Sequence, residues 1–383
     1  MNQPINCLHC IIPPHMFQNM LANGSDIQRQ VAMAAIAISG QLRGNRQALA
    51  ESVGFLAAPA APGKHRTVYT ANSGSNLPGQ LVRDEGGPVT GDPAADEAYE
   101  GAGATYDFYW NVYQRNSVDG NGLRINSTVH YQQNYDNAFW NGQQMVYGDG
   151  DGQLFNRFTL ALDVIGHELT HGVTQYTSSL SYQNQSGALN ESFSDVFGSM
   201  VKQYKLNQTA DQADWLIGQG LFTSNVKGVA IRSMKAPGTA YDDPVLGKDP
   251  QPATMAGYVN TTQDNGGVHI NSGIPNHAFY LLARTLGGYA WEKAGKIWYA
   301  AAREKFTSDT DFQGAADLTF EAAGELFGQN SVEQQAVQNA WSGVGVIVGA
   351  GAQTQPQPQG GGCLAALISM LQSLPGGNTN TQR

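Results

Sequence analysis

VIGHELTHGV, residues 164–173, sets two histidines four positions apart inside an apolar run, with a glutamate directly after the first. Each residue of an α-helix advances about 100°. His167 and His171 therefore stack on one face, with Glu168 beside them, while Leu162, Ile165, Leu169 and Val173 fall on the other. Two imidazoles one turn apart can converge on a single Zn²⁺. The neighbouring carboxylate is then placed to take a proton from a water that the metal activates. The stretch predicts a helix, apolar behind and polar in front, running through the middle of the protein. A pair of helix histidines without a metal is the plainer alternative.

A catalytic zinc takes a third protein ligand, and NESFSD, residues 190–195, offers one. Glu191 and Asp195 share a helical face. Glu191 can be the ligand, and Asp195 can accept a hydrogen bond from a metal-bound imidazole, which fixes its tautomer. The flanking stripe of Leu189, Phe193, Val196, Phe197 and Met200 predicts close packing of this helix. QDNGGVHINSG, residues 263–273, contains Asp264 and His269. A glycine-rich turn followed by histidine suits a loop that delivers an imidazole to a cleft.

The rest of the chain frames these helices. Its 383 residues suggest two packed domains plus tails. With 14% charged residues and a net charge of -10, it is a poor partner for nucleic acid. No stretch approaches the roughly 20 apolar residues of a membrane span. The start lacks the basic region and apolar core of a standard signal peptide, so cytoplasmic synthesis is expected, with export by a non-standard route open. Cys7, Cys10 and Cys363 all lie in the tails, so disulfides cannot staple the body. Cys7 and Cys10 form a lone CxxC, which could bind metal or respond to oxidation but is one pair alone and weak evidence for either. No G-x-S-x-G occurs, which removes the usual serine hydrolase.

Residues 1 to about 50 read as a separate segment, helical over IQRQVAMAAIAISGQLR (27–43), and the Pro/Ala linker FLAAPAAPGK (55–64) marks a boundary after it. Strand and turn signals fill 64–155, notably RTVYTA, LRINSTVHY and NAFWNGQQMVY. YGDGDG reads as a turn, because Leu160 stands where a calcium loop would need a carboxylate. Helical patterns dominate 158–345. The Gln/Pro/Gly-rich tail from 349 holds one apolar run, CLAALISMLQSL, at 363–374.

From about Tyr69 to Val348 the chain resembles thermolysin-like zinc metallopeptidases. The resemblance rests on NAFWNGQQMVYGDGDG, DVIGHELTHGVT, SYQNQSGALNESFSDVFG, IRSM and DNGGVHINSGIPNHAFY, in the family's order. The early CIIPPHMF resembles the protealysin-like branch, with its compact propeptide and Pro-Pro motif. The implied fold is α+β, with a β-rich N-terminal lobe, a helical C-terminal lobe and the HELTH helix at the base of the cleft between them. The implied divisions are propeptide and linker at 1–60, lobes at 61–182 and 183–348, and a tail at 349–383.

The same resemblance implies roles. His167, His171 and Glu191 would bind one zinc, with Asp195 supporting His167 and Asn190 supporting His171. Glu168 would be the general base. Tyr182 and His269 would donate to the oxyanion, with Asp264 orienting His269. Asn137 and Arg232 would hold substrate backbone groups, and Ala138, Phe139 and Trp140 would pair with an extended peptide as an edge strand. Phe155, Phe158, Val164, Ile217, Leu221 and Ile231 would line an apolar pocket after the scissile bond, favouring Leu or Phe on the amino side of cleavage. The expected partners are peptide substrates and the chain's own propeptide in cis, and the expected state is a monomer. The chain departs from thermolysin at the double calcium site: Asp163 and Asp214 remain, but Lys202, Leu216 and Gln219 fill the other places. The Lys202 ammonium is expected to replace calcium there.

Overall fold

The β-branched and aromatic runs of the first half build one twisted sheet. In a computed structural model, residues 9–37 and 62–350 are described. The sheet has six strands, β1 (His9–Cys10), β2 (Arg66–Thr70), β3 (Gln80–Asp84), β4 (Ile125–Val129), β5 (Ala138–Trp140) and β6 (Met145–Tyr147), in the order β1-β5-β6-β4-β2-β3. β5 and β6 form the antiparallel hairpin, with Phe139 opposite Val146. β4 joins them by a parallel pairing to β6. The edge of β5 is covered by β1, a strand from the N-terminal segment.

Against this sheet packs a helix that the strand-and-turn reading of 64–155 missed. Helix α3 (Pro93–Tyr113) follows α1 (Pro14–Asn23) and α2, which runs over residues 26–37. Its start follows capping rules: the Asp92 side chain accepts from the Ala94 N–H and Pro93 takes the first turn. Its interior hides it, because Gly101 and Gly103 weaken helix propensity. Both are needed for contact. A Cβ on Gly101 would lie 2.3 Å from Ile165 Cδ1, and one on Gly103 2.3 Å from Arg66 Nη1.

Helices α4 (Leu162–Gln175) and α5 (Asn184–Leu206) carry the sequence motifs. α4 is buried on every side from Asp163 to Thr174, so its polar face meets protein rather than solvent. The second half continues through α6 (Asp264–Asn271), α7 (Gly273–Leu286), α8 (Ala294–Glu304), α9 (Phe312–Phe327) and α10 (Val332–Gly343), with stacked Trp298 and Trp341 between α8 and α10. Short pairs β7 (Leu216–Ile217) with β8 (Arg232–Ser233), and β9 (Asp242–Asp243) with β10 (Gly247–Lys248), brace the loops between α5 and α6. This is the β-rich lobe and helical lobe that the sequence resemblance implied. Cys7, the end of the expected 27–43 helix, most of the 55–64 linker and the 363–374 run lie outside the described residues. Among the described residues no helix is long and apolar enough to cross a membrane.

Candidate active site

Two glycines let α4 and α5 touch backbone to backbone. A Cβ on Gly166 would lie 3.0 Å from Gly198 Cα, and one on Gly198 would lie 2.3 Å from the Asp163 carbonyl oxygen. The close crossing brings Glu191 of α5 to the two histidines of α4. His167 Nε2 and His171 Nε2 are 2.9 Å apart. The Glu191 carboxylate lies 3.5 Å from the first and 3.4 Å from the second. All three residues are buried.

The far side of each ring decides what the near side can do. His167 Nδ1 lies 2.8 Å from Asp195 Oδ1, and His171 Nδ1 lies 2.9 Å from Asn190 Oδ1. Asn190 holds the His171 proton on Nδ1, and the Asp195 charge favours a proton on the His167 Nδ1 beside it, so both Nε2 lone pairs and a carboxylate face one dehydrated point. Such a group is repulsive until a cation sits among the donors. Two imidazoles and one carboxylate match zinc's preferences, and among the described residues they are the one group that could hold a metal.

Asp195 is itself a hub. Arg232 grips it with two hydrogen bonds, of 2.8 and 2.7 Å, and Asn276 donates a third of 2.8 Å. Burial alone would raise this carboxyl, but Arg232 and His167 hold it well below the usual carboxylate range. Asn276 was not singled out from sequence, nor was Ser194, whose hydroxyl lies 3.0 Å from His171 Nδ1. Ser194 could have been found, since it falls one turn after Asn190 on the face that meets α4.

Glu168 is buried, and its Oε2 accepts a hydrogen bond of 2.9 Å from the Trp140 N–H. Across the cleft, the Tyr182 hydroxyl donates to Glu191 Oε1 and lies 3.1 Å from His269 Nε2. Burial pushes the Tyr182 hydroxyl well up, so it remains a donor. The turn that delivers His269 has positive φ at Asp264, Asn265, Gly266 and Gly267. This left-handed run lets Asp264 bond both the His269 N–H, at 2.8 Å, and its Nδ1, at 2.6 Å. Burial alone would lower the His269 ring, but the Asp264 and Glu191 charges raise it to about 9. Gln251, also missed from sequence, donates to the His269 carbonyl at 2.8 Å.

The cleft is occupied by the chain itself. His9 and Cys10 pair antiparallel with Trp140 and Phe139, and the Ile11 N–H reaches the Ala138 carbonyl at 3.2 Å. The Ile12 N–H donates to Asn137 Oδ1 at 3.1 Å, and Arg232 Nη1 donates to the Ile11 carbonyl at 3.1 Å. His269 Nε2 lies 3.2 Å from the Cys10 carbonyl. Pro13 and Pro14 then end the strand, having no N–H to give, and Pro14 opens α1.

The apolar set also gathers. Phe155, Phe158, Val164, Ile217, Leu221 and Ile231 are all buried. A side chain on Gly218 would strike both Ile231 and Leu221, and the Ile231 N–H bonds the Ile217 carbonyl at 3.0 Å. One α-helix end away, Lys202 Nζ lies 2.6 Å from Asp163 Oδ2, 3.0 Å from Asp214 Oδ1 and 3.0 Å from the Leu216 carbonyl. Burial disfavours this ammonium, but the two carboxylates raise its pKa above the usual lysine value. Of the remaining histidines, His130 bridges Asp92 and Asp149 at 2.7 and 2.8 Å, and His277 bonds the Met234 carbonyl.

A buried His-His-Glu centre at the base of a cleft, with a buried glutamate beside it and a peptide strand across it, is the site of a metal-dependent peptidase. The thermolysin metallopeptidase catalytic domain matches residues 57–175, and the thermolysin metallopeptidase alpha-helical domain matches residues 178–346. The chain belongs to this family. It is 53% identical over 339 residues to an extracellular metalloprotease of Pectobacterium carotovorum subsp. carotovorum, covering 88% of this chain and 96% of that one. It is 48% identical to the protease PrtS of a Photorhabdus species, over 88% and 92% of the two chains. Among solved structures, the precursor of protealysin, a metalloproteinase from Serratia proteamaculans, matches with a TM-score of 0.80 and 51% identity, over 88% of this chain and all of that one.

Proposed function

We propose that this metallopeptidase is a zinc-dependent endopeptidase made as a zymogen and exported with residues 1–60 in place. The observation that carries the reading is the strand at residues 9–12, laid across the metal-type centre by the groups that would hold a substrate. Zinc, when bound by His167, His171 and Glu191, supplies Lewis-acid polarisation of the scissile carbonyl and a more acidic water.

The chain's residues do the rest. Asn190 and Asp195 keep the Nδ1 protons in place, so that both Nε2 atoms stay available. Glu168 takes the proton of the attacking water and later passes it to the leaving amine. Tyr182 and His269 donate to the developing oxyanion, with Asp264 orienting His269. Asn137, Arg232 and the β5 edge fix the peptide backbone. The buried set of Phe155, Phe158, Val164, Ile217, Leu221 and Ile231 favours a bulky apolar residue on the amino side of cleavage. Lys202 supplies the cation between Asp163 and Asp214 that would otherwise have to be calcium. The divisions at 60, 182 and 348 stand as the working boundaries of propeptide, two lobes and tail, and a monomer is the working state.

Zinc content and peptide hydrolysis test this together. Glu168→Ala should keep zinc and lose activity by about 10²–10⁴-fold, whereas His171→Ala should lose zinc as well. Full hydrolysis by Glu168→Ala would remove the assigned base. A peptide library that showed a basic or acidic preference on the amino side of cleavage would refute the assigned pocket.

A further inference from the structure

The segment that fills the cleft carries a histidine whose place suits one charge state only. His15 follows Pro13 and Pro14 on the first turn of α1. Its Nε2 bonds the Tyr241 hydroxyl at 2.8 Å. Its Nδ1 is buried and has no hydrogen-bond partner. A neutral ring fits this place, since one nitrogen is bonded and only one is left over. A protonated ring has two N–H donors, and the second would find no acceptor, which is costly in a dehydrated site.

The charges around the ring pull in both directions, and burial decides between them. Arg232 and His269 disfavour a positive ring, while Asp264 favours it. Asp249 lies near Tyr241 but already accepts from the backbone of Gly238, Ala240 and Gln251. Burial is the largest influence, and with these charges it lowers His15 to about 4 while docked. The neighbouring turn of α1 is fixed to the same wall: Asn19 donates to the Leu246 carbonyl at 2.8 Å, packed over Gly247, where a Cβ would lie 2.3 Å from its amide nitrogen.

Building on the zymogen reading, we infer that His15 is an acid-sensitive latch: its protonation drives residues 9–37 out of the cleft. The sign follows from linkage. The docked ring is harder to protonate than the free one, so docking is at full strength above the ordinary histidine pKa. Docking then weakens about tenfold per pH unit as pH falls from about 6.5 towards 4. Between pH 7.5 and 5 the undocked fraction should rise about thirtyfold.

Cys10, buried in the docked strand, reports the docking directly. The full-length Glu168→Ala chain is prepared with zinc, with Cys7→Ser and Cys363→Ser added so that Cys10 is the single thiol. Its rate of reaction with 4,4′-dithiodipyridine is measured from pH 7.5 to 5, normalised to the same chain in denaturant. The expected result is a rise of about thirtyfold with His15, and less than about threefold with His15→Gln, which keeps a bond to Tyr241 and cannot be protonated. His15→Phe serves as a second variant if His15→Gln fails to fold. A flat profile with His15, or an equal rise in the variants, overturns the latch. Rapid labelling at pH 7.5 in every variant would instead overturn the zymogen reading, because the segment would not be docked at all.

Discussion

The two ends of the α4–α5 crossing hold buried carboxylates in opposite ways. On one side of Gly166 and Gly198, His167, His171 and Glu191 collect electron pairs at a point that contains no cation of their own. On the other side, Asp163 and Asp214 face Lys202, which brings a charge on its own side chain. The helices, the crossing and the burial are shared. The difference lies in who supplies the positive charge. A covalently attached ammonium is permanent and serves stability. A centre that needs an outside cation keeps a place where chemistry can be done.

The comparison can be broken most severely at the metal end. Glu191→Ala should abolish zinc binding and lower hydrolysis by at least about 10³-fold with the fold intact, read by metal content and circular dichroism. At the other end, Lys202→Met should leave activity per folded molecule near normal but destabilise by about 3–5 kcal/mol, since Asp163 is then buried without a counter-charge. Lys202→Glu sharpens the contrast further. Thermal unfolding of the parent chain should ignore millimolar calcium, while that of Lys202→Glu should rise with it. Calcium dependence in the parent would mean that Lys202 does not replace the ion.

The crossing itself predicts a smaller effect shared by both ends. Gly198→Ala should destabilise by about 2–3 kcal/mol, because its Cβ meets the Asp163 carbonyl at 2.3 Å. The smallest effect belongs to His130, bridged between Asp92 and Asp149 and raised to about 9 chiefly by its bond to Asp149. A raised histidine stabilises below about pH 6.5, and that stabilisation is lost as pH rises through 9. His130→Gln should therefore cost about 1 kcal/mol at neutral pH after solvent screening and nothing above pH 10, followed by urea unfolding.

Legibility in the sequence followed the range of the contacts. His167, Glu168 and His171 sit within one helical turn, and Glu191 with Asp195 in another, so helical spacing put each set on one face, although the apolar stripe beside Glu191 left open which face of its helix was wet. The Lys202 place was readable for the same reason, being on the face of Glu191 three turns on. Helix α3 was not, because its two glycines serve partners, Ile165 and Arg66, that lie far away in the chain. Asn276 and Gln251 were hidden likewise: each reaches the site from a distant element by one hydrogen bond, which leaves no periodic trace. The placement of Cys10, Ile11 and Ile12 on β5 spans more than a hundred residues. In sequence, only the two prolines after them mark where that strand must stop.

The most direct test is the intact mass of the wild-type chain beside Glu168→Ala, each incubated with zinc. The account predicts that the wild type loses most of residues 1–60 while the mutant stays whole. If the mutant is shortened just as the wild type is, or if both stay whole under conditions where added peptides are cut, the chain does not process itself and the central claim fails.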